Sequence, residues 1–180
     1  PLDLQVDRFM VSQAILLALV GIPGIYVHSL LGSRGWPDGV TLTGRSRTIN
    51  RQKFERFELE TELADASSLR GRVFGCYASL LRARAGDPAF HPHGAQLVLE
   101  AGSAFFALLR IPLESGAPVL CLHHVTGRPH SIPLDLEALG LPEGRYTDLI
   151  SGEDFSLMDG GVVTFAPYQV LWLKPQGGKP

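Results

Sequence analysis

The run Gly21-Ile22-Pro23-Gly24-Ile25-Tyr26-Val27-His28-Ser29-Leu30-Leu31-Gly32 decides the fold class. From Ile22 to Leu31 it is mostly apolar, carries the β-branched Ile25 and Val27, and is bounded by glycine, which is the pattern of a short buried strand. Ahead of it, Phe9, Met10, Gln13, Ala14, Leu16 and Leu17 place apolar groups on most faces of a helix ending near Leu19. Asp3 or Asp7 is available to cap that helix, and Gly21 and Pro23 end it. A buried helix followed tightly by a buried strand is the grammar of packed helix and sheet layers.

Working outward, residues 32 to 43 read as an exposed loop of Gly, Ser, Arg, Trp, Pro and Asp, and residues 50 to 63 as a charged amphipathic helix. A second helix is predicted from Ser67 to Arg84, where Leu69, Val73, Cys76, Tyr77 and Leu80 recur at three- and four-residue spacing and Ser67 or Ser68 serves as cap. Near Asp87-Pro88 the pattern changes to short apolar or alternating runs separated by Gly and Pro. Six strands are predicted there: Ala95 to Leu99, Ala104 to Ile111, Val119 to Val125, His130 to Leu134, Tyr146 to Leu149 and Val162 to Leu173. They suggest a small antiparallel sandwich or curled sheet, so the chain as a whole reads as α+β. The domain division that follows is 1–87, 88–174 and a tail over 175–180, with Lys174 to Pro180 expected to fray.

Composition bounds the function classes. With 180 residues, 45% hydrophobic and 19% charged, the chain can bury a core, and its net charge of -2 supplies no basic field for nucleic acid or an anionic membrane. The longest apolar run, Ala14 to Val20, falls well short of the roughly 20 residues that span a bilayer. Cys76 and Cys121 form no spacing motif; each reads as a small buried hydrophobe or as half of a bridge, with a lean towards a reducing, cytoplasmic setting.

Candidate site residues cluster where the strand exits. Tyr26, His28, Ser29 and the loop Gly32 to Val40, with Ser33 and Arg34 in it, lie at that exit, and such strand ends are where α/β folds place their chemistry. The alternative for Tyr26 and His28 is that both are satisfied core residues. Arg45, Arg47 and Arg51 follow closely, and guanidinium forks suit carboxylates, phosphate or adjacent sugar hydroxyls. His91 with His93 and His123 with His124 lack the spacing of a metal site, so neither a metal nor a cofactor is expected. No acidic pair, phosphate loop, nucleophile elbow or Cys-His arrangement marks a catalytic residue within the chain.

The segments Asp7-Arg8-Phe9, Gln13 to Leu16, Gly21 to Tyr26 and Gly44 to Arg51 resemble the carboxyl-terminal part of the α-amylase superfamily, glycoside hydrolase family 13. Leu30 to Arg34, Arg47 to Arg51, Pro88 to Pro92 and Pro167 to Trp172 are similar to its sucrose phosphorylase-like branch, which includes glucosylglycerate phosphorylases. The resemblance implies the carboxyl-terminal end of a (β/α)8 TIM barrel, with Ile22 to Leu31 as its eighth strand, followed by a small antiparallel all-β domain. It further implies a retaining α-glucosyl-transferring parent acting on an α-glucoside and phosphate, with its catalytic carboxylates upstream and this chain alone inactive. Arg47 matches the arginine that grips donor glucose, and Tyr26, His28, Ser33 and Arg34 would line the site. Helix and strand faces meant for the missing upstream barrel segment should be exposed, and homodimerisation is one assembly open to the parent. Two rivals stand beside this reading: a noncatalytic carbohydrate-binding or interaction module, and a parent that hydrolyses α-glucosides. His123-His124 departs from the branch, where histidine then asparagine is commoner, and is expected to affect packing.

Overall fold

The computed structural model describes residues 1–177 and separates into two compact units, one of residues 1–23 with the chain from 79 onward, the other of residues 24–78. The fold is α+β with antiparallel sheets.

The first unit opens with helix α1, Leu2–Ala18, whose buried stripe of Val6, Met10, Ala14, Leu17 and Ala18 follows helical spacing. Neither Asp3 nor Asp7 caps it: the helix starts at Leu2, so Asp3 falls in the first turn, where a negative charge still suits the helix dipole. Burial pushes the Asp7 carboxyl up from its ordinary value.

The strands are β1 Ala95–Leu99, β2 Phe105–Ile111, β3 Val119–His124, β4 His130–Pro133, β5 Gly144–Asp148, β6 Asp154–Leu157, β7 Val162–Phe165 and β8 Val170–Pro175. A six-stranded sheet runs β1-β2-β3-β8-β5-β6, and β4 pairs with β7 in a second sheet. Alternation sorts the central strands into two faces. Ala107, Leu109, Leu120, Leu122, Leu171 and Leu173 form one core with Ile132, Leu136 and Phe165. Leu108, Arg110, Cys121, His123 and Trp172 alternate with these and are also buried, so β3 is covered on both sides.

Two differences from the expected strand set have local causes. The stretch from Val162 to Leu173 is two strands because Pro167 has no N–H to give a ladder and Tyr168 sits at φ 57°, in the left-handed region. β6 was not expected, since it opens on Asp154 and mixes polar and apolar residues; it pairs with β5 through the backbone ladder and buries Leu157, with the Arg145 guanidinium and the Thr147 hydroxyl on the Asp154 carboxylate across the pair. The start of the tail predicted to fray is ordered. Lys174 and Pro175 belong to β8, and the Gln176 amide donates to the Arg145 carbonyl; residues 178–180 lie outside the described residues.

Pro88 to Phe90 form a 3-10 turn with Ala89 and Phe90 buried. Asp87 caps this turn by accepting from the Ala89 amide and pairs with Lys174. Arg84, on helix α5 (Leu69–Gly86), donates to the carbonyls of Leu17, Leu19 and Gly21, and the buried Arg110 donates to those of Ala18, Ala89 and His91. Together they satisfy acceptors that a helix end leaves without intrahelical partners.

In the second unit the predicted strand from Ile22 to Leu31 is absent. Ile25 and Tyr26 are irregular, and Val27–Leu30 form the single-turn helix α2, in which Leu30 N donates to the Tyr26 carbonyl and Leu31 N to that of Val27. A strand needs a neighbouring ladder, and no described residue offers this segment one, so its backbone groups are satisfied locally by a helical turn. Gly32 (φ 59°) then turns the chain, and a Cβ there would meet the Val73 side chain at 3.0 Å. The expected loop contains helix α3, Pro37–Thr43, with proline in its first turn. The next helix, α4, starts at Arg56 instead of Asn50 and runs to Ala64, because residues 46–50 form a 3-10 turn. The Ser68 hydroxyl accepts from the Gly71 amide and caps α5 as expected.

Candidate functional site

The candidate residues Tyr26, His28, Ser33, Arg34 and Arg47 all lie in the second unit. Tyr26 is 49% exposed and His28 half-buried, so neither is a core residue. Tyr26 Oη donates to the Asn50 carbonyl, tying the strand-like segment to the 3-10 turn that carries Arg47. Two further ties hold that turn. Trp36 N donates to the Ile49 carbonyl at 2.7 Å, and the hydroxyls of Thr43 and Thr48 are 2.9 Å apart. Arg47 is exposed on this pinned backbone, and its guanidinium takes part in no hydrogen bond or ion pair among the described residues. A fixed backbone bearing an uncommitted five-donor fork is suited to adjacent hydroxyls or an anion.

A second group forms around Ser33. His28 Nδ1 is 3.1 Å from Ser33 Oγ, and the imidazole packs between Tyr26 and Phe54, with ring centroids 5.2 and 5.1 Å away. Arg70 Nη1 donates to Ser33 Oγ and to the Leu31 carbonyl, both at 3.0 Å. The same guanidinium lies 4.6 Å from the Phe54 ring centre and pairs through Nε with Glu62. At the start of α5, hydrogen bonds from the Ser67 hydroxyl and amide hold the Asp65 carboxyl below its usual range. The structure therefore brings Tyr26, His28 and Ser33 into one linked set, with Arg34 exposed beside it.

Phe54, Glu62 and Arg70 were missed from sequence. Arg70 had a readable signal: it falls at helical spacing with Val73, Tyr77 and Leu80, which puts an arginine on the buried stripe of α5. Phe54 had none, since it stands in irregular chain between the 3-10 turn and α4.

Of the other histidines, His123 has a structural role. Trp172 Nε1 donates to His123 Nε2 at 3.2 Å, which requires a lone pair there and leaves the Nδ1 proton for the Phe106 carbonyl at 3.0 Å. Burial lowers the His123 pKa to about 4, so the ring is neutral at pH 7. Among the described residues no three His, Cys, Asp or Glu side chains are grouped to hold a metal ion, and neither cysteine is part of a disulfide: Cys76 is exposed, and Cys121 is buried with its thiol pushed up by burial. No helix among the described residues is long and apolar enough to cross a membrane.

No family model matches the chain. It is 42% identical over 184 residues to the glucosylglycerate phosphorylase of Spirochaeta thermophila, covering 96% of this chain and 30% of that protein. The glucosylglycerate phosphorylase of Escherichia coli K12 is 34% identical, with 93% and 28% covered. The chain thus spans about a third or less of the length of these relatives. Among solved structures it is similar in fold to AmyP in complex with maltose, with a TM-score of 0.67 at 15% identity over 97% of this chain and 36% of that one. An Anoxybacillus α-amylase gives a TM-score of 0.69 at 17% identity, with 97% and 34% covered.

Proposed function

We propose, from the premise that this chain belongs to the sucrose phosphorylase-like branch of the α-amylase superfamily and is one portion of a longer enzyme, that its parent transfers an α-glucosyl group to inorganic phosphate. The observation that carries this reading is the 42% identity to a glucosylglycerate phosphorylase along nearly the whole chain. Glucosylglycerate is accordingly the donor we favour. In the overall reaction the bond from the anomeric carbon to the glycerate oxygen breaks, a phosphate oxygen takes its place on that carbon, and the leaving oxygen receives a proton. The products are α-glucose 1-phosphate and glycerate. Net retention requires two displacements through a carboxylate nucleophile, with a second carboxyl as acid and base. By the family's layout we assign these groups to barrel strands carried by the rest of the parent, and we place this chain at the carboxyl-terminal end, inactive by itself.

Within this chain Arg47 is the residue we assign to the donor glucose hydroxyls, because its turn is pinned while its fork stays uncommitted. Tyr26, His28, Ser33 and Arg34 border the same site in this reading. The domain boundary near residue 87, a cytoplasmic setting and homodimerisation belong to the same proposal; two cysteines outside any disulfide support the setting.

The full-length parent, supplied with glucosylglycerate and phosphate, is expected to form α-glucose 1-phosphate only when phosphate is present. Release of free glucose at the same rate without phosphate would replace the reading with a hydrolase, and glucan binding without turnover would replace it with a carbohydrate-binding module. Arg47→Lys, which keeps the charge and loses the fork, is expected to lower kcat/KM about tenfold or more.

A further inference from the structure

We infer that Arg70 is a positioning residue, which acts through Ser33 to fix His28 as a hydrogen-bond donor towards the sugar ligand; the inference rests on the functional reading above. Its side chain is 15% exposed and joins three segments that the sequence separates: the turn bearing the Leu31 carbonyl and the Ser33 hydroxyl, the Phe54 ring, and the Glu62 carboxylate. A guanidinium has no acceptor, so both Nη1 contacts run outward from the arginine. Ser33 Oγ therefore accepts from Arg70, and its own proton is left for the other polar atom in reach, His28 Nδ1 at 3.1 Å. With Nδ1 accepting, the ring proton of neutral His28 resides on Nε2. The reverse tautomer would direct two donors at Ser33 Oγ and leave the serine proton without either partner. The arrangement that uses every proton is a relay from Arg70 to Ser33 to His28 that ends in an N–H on a half-buried ring, held between the Tyr26 and Phe54 rings. An N–H donor of fixed direction matches a sugar hydroxyl or a carboxylate oxygen.

The test is made on the full-length enzyme, with nitrogen-15 resonances of the His28 ring reporting the tautomer and steady-state kinetics run with glucosylglycerate and phosphate. Wild type is expected to show Nδ1 without a proton and Nε2 with one. Arg70→Lys and Ser33→Ala should each produce a mixture of tautomers and raise KM for glucosylglycerate about tenfold, with kcat held within about threefold. Ser33→Ala removes only the middle link and leaves the Leu31 and Glu62 contacts of Arg70, so it decides the matter if Arg70→Lys fails to fold. An unchanged His28 tautomer in Ser33→Ala overturns the relay, as does an unchanged KM with an altered tautomer. Wild-type protein with the expected nitrogen signature but no phosphorolysis would leave the relay standing and defeat the functional reading instead.

Discussion

The sheet-bearing unit and the segment from Gly24 to Ala78 differ in what holds them. In the first, Trp172, Tyr146, Phe165 and all six β3 side chains are essentially inaccessible, and even Arg110 and His123 are fully buried with partners for their polar atoms. In the second, Phe57 is 81% exposed and Leu42 77%, while Leu31, Val73 and Tyr77 are the large apolar residues that are buried. One unit is fixed by excluded apolar area, the other by point contacts such as Tyr26 to Asn50 and Arg70 to Ser33. A core tolerates no void but needs no single bond; a pinned loop depends on each pin. This contrast places the candidate ligand residues on the part of the molecule whose geometry individual hydrogen bonds control.

The contrast can be broken most forcefully at Trp172. Its ring stacks 4.6 Å from Phe90 and its N–H serves His123, so Trp172→Ala should destabilise the sheet-bearing unit by roughly 3–5 kcal/mol in urea unfolding. A loss under about 1 kcal/mol would mean that the face collapses around the void and is not close-packed. The next effect is acid sensitivity. Folded His123 resists protonation down to about pH 4, against 6.5 ordinarily, so the unfolded chain binds a proton that the native chain refuses between those values. Its contribution is therefore fully present above pH 6.5 and is lost as pH falls towards 4, a change of roughly 3 kcal/mol. Unfolding midpoints at pH 7, 5.5 and 4.5 should fall in wild type and fall less in His123→Gln; parallel profiles would remove His123 as the cause. The smallest effect belongs to the pinned segment. Tyr26→Phe deletes one hydrogen bond worth about 1 kcal/mol, which should speed proteolysis between residues 45 and 55 and leave the urea midpoint of the sheet unchanged. A shifted midpoint would show that the two units do not differ in the way described.

The same contrast explains what the sequence made legible. Strands β1 to β5 were readable because apolar pairs recur at the period of a sheet, and α5 because Val73, Tyr77 and Leu80 keep helical spacing. The apolar stretch at Ile22, expected as a buried strand, misled on both counts: Ile22, Tyr26 and Val27 are exposed, and without a neighbouring ladder the chain forms a helical turn at Val27. β6 was invisible because only Leu157 of its four residues is buried, too little apolar alternation to mark a strand. At the candidate site, residue types identified Tyr26, His28, Ser33, Arg34 and Arg47, whereas the links among them run through Asn50, Phe54 and Arg70, which no local pattern joins to the rest.

The end of α1 carries a consequence for how such proteins are assembled by recombination. Its last carbonyls are held by Arg84 and Arg110, guanidiniums from elements 67 and 92 residues further along the chain. Transplanting the β strands without that first helix would take the Ala18 acceptor from Arg110 and uncover the apolar sheet face that the helix shields. The amino-terminal helix and the sheet are thus inherited as one cassette, and a viable crossover between relatives has to carry both.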